Sequence, residues 1–288
     1  MKKLLTFFAI TAILAIAGCG SSTSGGDSST LDQAKEEGKI TVGFANERPY
    51  AYMTADGEIK GEAVDIAKEI FNNLGIEDVE GTVTEFGSLI NGLHAGNFDV
   101  ITAGMYIRPD RCEKVEFAEP EYRIGEGFAV QPGNPLDLHS YEDIANNPDA
   151  TIGVMNGAIE IDYLEAAGIS EEQMVIVPDI PSNISALETG RVDAITMTDL
   201  TLRTALEDAD SDKIEIVEDF QQPVIDGKTV YGYGAAAFRP EDKEFVEAYN
   251  KELKKLKESG KLLELLEPYG FTEDNLPGDV TKEELCEG

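Results

Sequence analysis

Arg111 is the residue best equipped to hold an anion. It ends the run Met105-Tyr-Ile-Arg-Pro-Asp-Arg111, on a loop just after a predicted strand. A guanidinium fork there can give two parallel charge-assisted hydrogen bonds to one carboxylate, although an arginine in a charged loop is ordinarily a surface residue. Tyr50, Phe86 and Tyr106 each fall just beyond a predicted strand, at the end where α/β sheets bind ligands. A ring face attracts a diffuse cation, yet each ring taken singly reads as packing. Glu47, three residues before Tyr50, can accept N–H groups, while most glutamates in so acidic a chain are merely solvated. Asn156, Gly157, Ala158 and Ile159 open a predicted helix, which offers free backbone N–H groups to an anion. Bond-breaking equipment is missing from this set. His94 and His139 are the only histidines, and neither is placed with a nucleophile, a metal-ligand cluster or a phosphate loop. The residue types predict binding, with no cofactor, no metal and no catalysis.

Alternating strands and helices must position these groups. Strands are predicted over 40–44, 81–85 and 99–103, with helices over 65–74 and 88–94 between them. This is the pattern of a mostly parallel sheet covered on both faces. After a turn-rich loop at 131–135 the alternation restarts: strand 150–154, helix 160–167, strand 174–177, helix 184–189, strand 192–196. A strand at 234–238 follows, and Phe245, Tyr249, Leu253 and Leu256 recur at helical spacing behind it, with a further short helix predicted over 261–266. If this end packs back on the first unit, residues 31–130 and 231–288 form one lobe and 131–230 the other. The chain then crosses twice, near 129–132 and near 232–236, and two crossings make a hinge beside a cleft.

The N-terminus supplies an address. Lys2 and Lys3 precede an apolar stretch at 4–16 that is too short for a comfortable membrane span, and Ile16-Ala-Gly-Cys19 follows. Residues 1–18 therefore read as a lipoprotein signal peptide with Cys19 as the lipidated first residue of the mature chain. Residues 19–30, rich in serine and glycine, read as a flexible tether. The chain has 56 acidic and 23 basic residues, a formal net charge of −33, and losing Lys2 and Lys3 takes it to −35. Such a surface repels nucleic acid and anionic lipid. With 42% hydrophobic residues the chain nonetheless folds. Cys112 and Cys286 remain once Cys19 is assigned. Two cysteines in an exported chain more often pair than stay free, so a disulfide pinning the tail to the first lobe is expected, against the alternative of two free thiols.

The chain from about 41 to 271 resembles the polar amino-acid-type periplasmic binding proteins, family 3, which are the solute-binding subunits of ABC importers. The likeness rests on the run 89–104 (LINGLHAGNFDVITAG), on 105–111 (MYIRPDR), on 115–122 (VEFAEPEY), and on Ile152-Gly-Val-Met-Asn-Gly157 and Gly190-Arg-Val-Asp-Ala194. A narrower likeness, to the ectoine/hydroxyectoine-binding proteins, rests on Ala45-Asn-Glu-Arg-Pro-Tyr50, Glu85-Phe-Gly87, Arg108-Pro-Asp-Arg-Cys112, Pro132-Gly-Asn-Pro-Leu136, 141–150 (YEDIANNPDA) and Leu266-Glu-Pro-Tyr-Gly-Phe271. Both Cys112 and Cys286 stand where that subgroup has cysteines.

The resemblance implies a two-lobed α/β fold of type II that closes on a small zwitterionic ligand. It also implies a location outside the cytoplasm, a lipid anchor, permease membrane subunits as partners and a monomeric receptor. Arg111 would hold the ligand carboxylate and the N–H groups of 156–159 would complete that site. Gly104 would let backbone approach the ligand, and Tyr50, Phe86 and Tyr106 would form an aromatic box with Glu47 accepting N–H groups. Thr198 stands where amino-acid receptors place an acid for the α-ammonium group, and Asp199 is one position off. Together with Tyr106 in place of a threonine, this favours a cyclic or buried cation over an α-amino acid. Ile159 is apolar where a hydroxyl would be expected. A polar amino acid or a betaine is the alternative ligand, and a cyclohexadienyl-dehydratase-like enzyme is the alternative from another class.

Overall fold

The structure is a computed structural model that describes residues 28–209, 211–225 and 227–287. The expected signal peptide, Cys19 and most of the tether lie outside the described residues. Two five-stranded sheets make the two lobes. In the first, Lys39–Phe44 pairs in parallel with Asp78–Val83 on one side and Val100–Ile101 on the other. Ala237–Phe238 then returns antiparallel between Val100–Ile101 and Glu116–Phe117. The C-terminal strand is thus built into the first sheet. The helix Lys243–Ser259 covers it with Phe245, Tyr249, Leu253 and Leu256 buried, and ends at Gly260, whose φ of 78° is the left-handed cap that glycine adopts without strain.

In the second sheet Ile152–Met155 pairs in parallel with Met174–Val177 and Ala194–Thr198. Glu126–Val130 runs antiparallel to Ala194–Thr198, with Thr198 opposite Glu126 and Ala194 opposite Val130. This corrects the lobe boundary. The first crossing lies at Tyr122–Ile124, not near 129–132, and Tyr122–Ile124 pairs antiparallel with Gly232–Gly234. Strand Glu126–Val130 is buried throughout. Its apolar character fits either sheet, and the choice is made by packing: Phe128 stacks on Phe220 at 4.9 Å and meets Tyr141 edge-on at 6.2 Å, both in the second lobe.

The tail is fastened at one point. Cys112 closes the short helix Pro109–Cys112 and Cys286 lies in Lys282–Glu287. The two are disulfide-bonded with Cα atoms 5.8 Å apart and a sequence separation of 174. No helix among the described residues is long and apolar enough to cross a membrane.

Closing so long a loop restricts the unfolded chain far more than the folded one. The double variant Cys112→Ser/Cys286→Ser is expected to keep the far-ultraviolet spectrum of the parent and lose about 2–4 kcal/mol of stability in urea unfolding. Alkylation of the unreduced exported protein should modify neither residue, and two reactive thiols there would contradict the pairing.

Candidate functional site

The cleft between the lobes collects side chains from the ends of both sheets. Glu47, Tyr50, Phe86, Gly104, Tyr106 and Arg111 line it from the first lobe, and Ala158, Ile159 and Thr198 from the second. Asn156 and Gly157 do not line it. They form the seam beside it, where a Cβ on Gly157 would lie 2.8 Å from Cα of Gly87. The cleft is closed down to about 30 Å³, room for roughly two water molecules. A solute can enter only if the lobes part.

Arg111 is 5% exposed. Its Nη1 donates to the carbonyl of Tyr106 at 2.9 Å and its Nη2 to the carbonyl of Gly157 at 2.9 Å, so one guanidinium ties the lobes together. Its Cζ sits 5.5 Å from the centre of the Phe86 ring. Burial, then the nearby charge of Arg108, pull its pKa down to about 10, which leaves it cationic at neutral pH. A second bridge is a chain of hydroxyls. Tyr50 Oη donates to Thr198 Oγ1 at 2.7 Å, Thr198 to Thr201 Oγ1 at 2.9 Å, and Thr201 to Glu47 Oε1 at 3.0 Å.

Several of the expected residues also make contacts within the protein. The missing Cβ of Gly104 makes room for rings: a Cβ there would fall 2.6 Å from the Tyr50 ring and 2.7 Å from Tyr122 Oη. Its φ of 62° also suits glycine. Tyr122 stacks on Tyr50 at 5.4 Å and donates to the Gly104 carbonyl at 2.9 Å. One face of Tyr50 is therefore taken by protein. Of the four N–H groups at 156–159, two are already used, Asn156 donating to Val177 and Ala158 to Met155. Asp199 turns away from Thr198 and binds Arg203 Nε at 3.0 and 3.1 Å.

Sequence reasoning missed two acids. Glu160 lines the cleft and Glu126 stands behind it, and the two are 3% and 2% exposed. Strand register puts Glu126 directly opposite Thr198, hence on the same face of the sheet. With both acids ionised, neither oxygen of Glu126 has a hydrogen-bond partner among the described residues, and the hydroxyl of Tyr106 has none either. The carboxyl of Glu160 is beside Glu126, so the two can share a hydrogen bond once one of them carries a proton. Burial raises both pKa values, and at Glu160 this is opposed first by the hydrogen bond with Glu126 and then, more weakly, by the charges of Arg111 and Arg108. Nothing distinguished these two among 56 acids. Glu47 is pushed up to about 8, chiefly by burial and then by the charge of Glu160. The cleft thus offers one fixed cation, three ring systems and two carboxyls, Glu47 and Glu160, able to accept N–H groups, with Glu126 behind them. Among the described residues there is no cluster that could hold a metal ion.

Residues 40–273 match the model of the bacterial extracellular solute-binding proteins, family 3. The chain is 39% identical over 261 residues to a probable amino-acid ABC transporter periplasmic-binding protein, y4tE, of Sinorhizobium fredii, covering 89% of this chain and 86% of that one. The crystal structure of EhuB in complex with hydroxyectoine superposes with a TM-score of 0.80 at 37% identity, over 89% of this chain and 97% of that one. The arginine-binding extracellular protein ArtP of Bacillus subtilis is 28% identical over 272 residues, 92% of this chain and 96% of that one.

A carboxyl whose pKa rises on folding stabilises the fold in its protonated form. For Glu47 that contribution is complete below its ordinary 4.5 and is lost as pH rises through about 8. Urea unfolding of the ligand-free protein should therefore show a loss of stability between about pH 5 and pH 9. Glu47→Gln, which cannot ionise, should reduce that loss by about 1–3 kcal/mol. Identical pH slopes for the two proteins would show that Glu47 is solvated.

Proposed function

The chain belongs to the bacterial extracellular solute-binding proteins of family 3, and on that premise we propose that it captures a small zwitterion of the ectoine class between its lobes for the membrane subunits of an ABC importer. The observation that carries this reading is the meeting, in one cleft, of buried Arg111 with Tyr50, Phe86, Tyr106 and Glu47. A carboxylate is a stronger acceptor for the guanidinium than the two carbonyls it now holds. Rings reward a cation whose charge is spread over a flat group, because such a cation gives up less hydration than a compact ammonium. Ectoine combines a carboxylate with an amidinium-like ring whose N–H groups Glu47 can accept. The neighbour solved with hydroxyectoine supports the same class. The proposal extends to Cys19 as the lipid-bearing residue and to a receptor that works as a monomer at the outer face of the membrane, with no reaction catalysed.

A second reading is favoured by Glu126 and Glu160. Two more buried acids suit a ligand with net positive charge, and one relative is named as arginine-binding. A thermal-shift panel of ectoine, hydroxyectoine, glycine betaine, arginine and glutamine separates the two, since a ligand bound only by the folded state raises its stability by mass action. Ectoine or hydroxyectoine should give the largest shift. A shift with arginine alone would replace the first reading by the second.

Arg111→Ala should weaken the winning ligand by about 2–5 kcal/mol in calorimetry without unfolding the protein. Phe86→Ala should cost about 0.5–2 kcal/mol. Unchanged affinity in Arg111→Ala would remove the carboxylate site from this cleft.

A further inference from the structure

Among the described residues two ion pairs cross between the lobes at the rim of the cleft, and they differ in how they are built. Arg48 Nη1 reaches Asp208 at 2.9 and 3.0 Å, with both side chains about half-exposed. Arg108 Nη2 pairs with Asp162 of the second lobe while its Nε donates to Asp110 of its own lobe at 2.8 Å. The Arg108 side chain is only 17% exposed.

We propose that Arg108 is the positioning residue of closure: its pair with Asp162 seats the second-lobe segment 156–162 against the loop that carries Arg111, and so sets how firmly the site shuts. This rests on reading the molecule as a receptor that closes. Three features single out this pair. Asp110 already fixes the guanidinium, so little side-chain freedom remains to be lost when Asp162 arrives. The two backbones come close beside it, a Cβ on Gly157 falling 2.8 Å from Cα of Gly87, and the Arg108 side chain is itself largely buried although Asp162 is half-exposed. Attraction to a largely buried guanidinium is screened less than in the half-exposed Arg48–Asp208 pair. Finally, Asp162 lies in the helix Glu160–Ala166, a few residues beyond Gly157, whose carbonyl accepts from Arg111. One short segment therefore links the latch to the groups that face Arg111.

The test uses the variants R108D and D162R and the exchanged pair R108D/D162R, each carrying spin labels at Val83→Cys and Ile176→Cys. Those two positions are exposed and lie on the outer strands of the two sheets. In the ligand-free protein each single variant should shift the interlobe distance distribution towards longer values, and the exchanged pair should restore it. With ectoine as the probe, each single variant should bind at least about fivefold more weakly, mainly through faster release, and the exchanged pair should return to within about twofold of the parent. R48M should change binding by less than about twofold. Single variants that keep the parent distance distribution, or an exchanged pair that stays open, would overturn the proposal. If ectoine binds none of the proteins, the parent included, the ligand reading fails while the distance distributions still decide the latch.

Discussion

A guanidinium taken out of water keeps its charge, and the desolvation cost must be met by acceptors fixed around it. Arg111 meets that cost with one carbonyl from each lobe and the face of Phe86, and with no carboxylate in ion-pair contact among the described residues. The neighbouring architecture follows from this arrangement. The short helix Pro109–Cys112 holds Arg111 in place and is anchored at its last residue by the disulfide to the C-terminal tail. Gly157 must present its carbonyl close to the first lobe, which its φ of 76° and the bare backbone of Gly87 permit. A side chain at Gly157 would press on the Gly87 backbone and hold the lobes apart.

The rings depend on the same closeness. Tyr50 can lie against Tyr122 and still reach Thr198 because Gly104 has no Cβ, and Gly234 leaves equivalent room for Tyr122. Glycine was legible in the sequence at these positions, but its purpose was not. A glycine beside a predicted site suggests close approach of a ligand, whereas here the space is filled by aromatic rings from elsewhere in the chain. Only the tertiary arrangement distinguishes the two.

Local periodicity carried most of the fold. Met174–Val177, Lys261–Leu266 and Leu89–His94 lie at or within one residue of where their apolar patterns placed them. The lobe boundary was harder, because a strand buried on both faces has the same composition whichever sheet receives it, and Glu126–Val130 is such a strand. The cleft residues that stood in distinctive motifs, Arg111 and Glu47 among them, could be named in advance. Glu126 and Glu160 could not, since a buried acid is spelled like a solvated one and their burial is decided by register with Thr198 and by the start of a helix far along the chain.

The contrast between surface and cleft explains how so acidic a chain can hold a charged site at all. Surface carboxylates are hydrated and screened, so their repulsion reaches little beyond a Debye length. The acids in the cleft lack that relief, and burial drives Glu47 and Glu126 towards their protonated forms. The local charge around Arg111 is therefore less negative than a count of carboxyls suggests. A protonated Glu126 beside Glu160 needs no counter-ion, which allows both to remain buried while the lobes are shut. Exchange of the Gly157 carbonyl for a charged acceptor at Arg111 would strengthen one hydrogen bond and release a lobe-to-lobe contact in the same step. The shut state then rests on the contacts that remain, the Tyr50–Thr198 and Thr201–Glu47 hydrogen bonds and the seam where Gly87 meets Gly157 and Arg108 meets Asp162, because the guanidinium cannot bind the solute and the opposite lobe with the same N–H group.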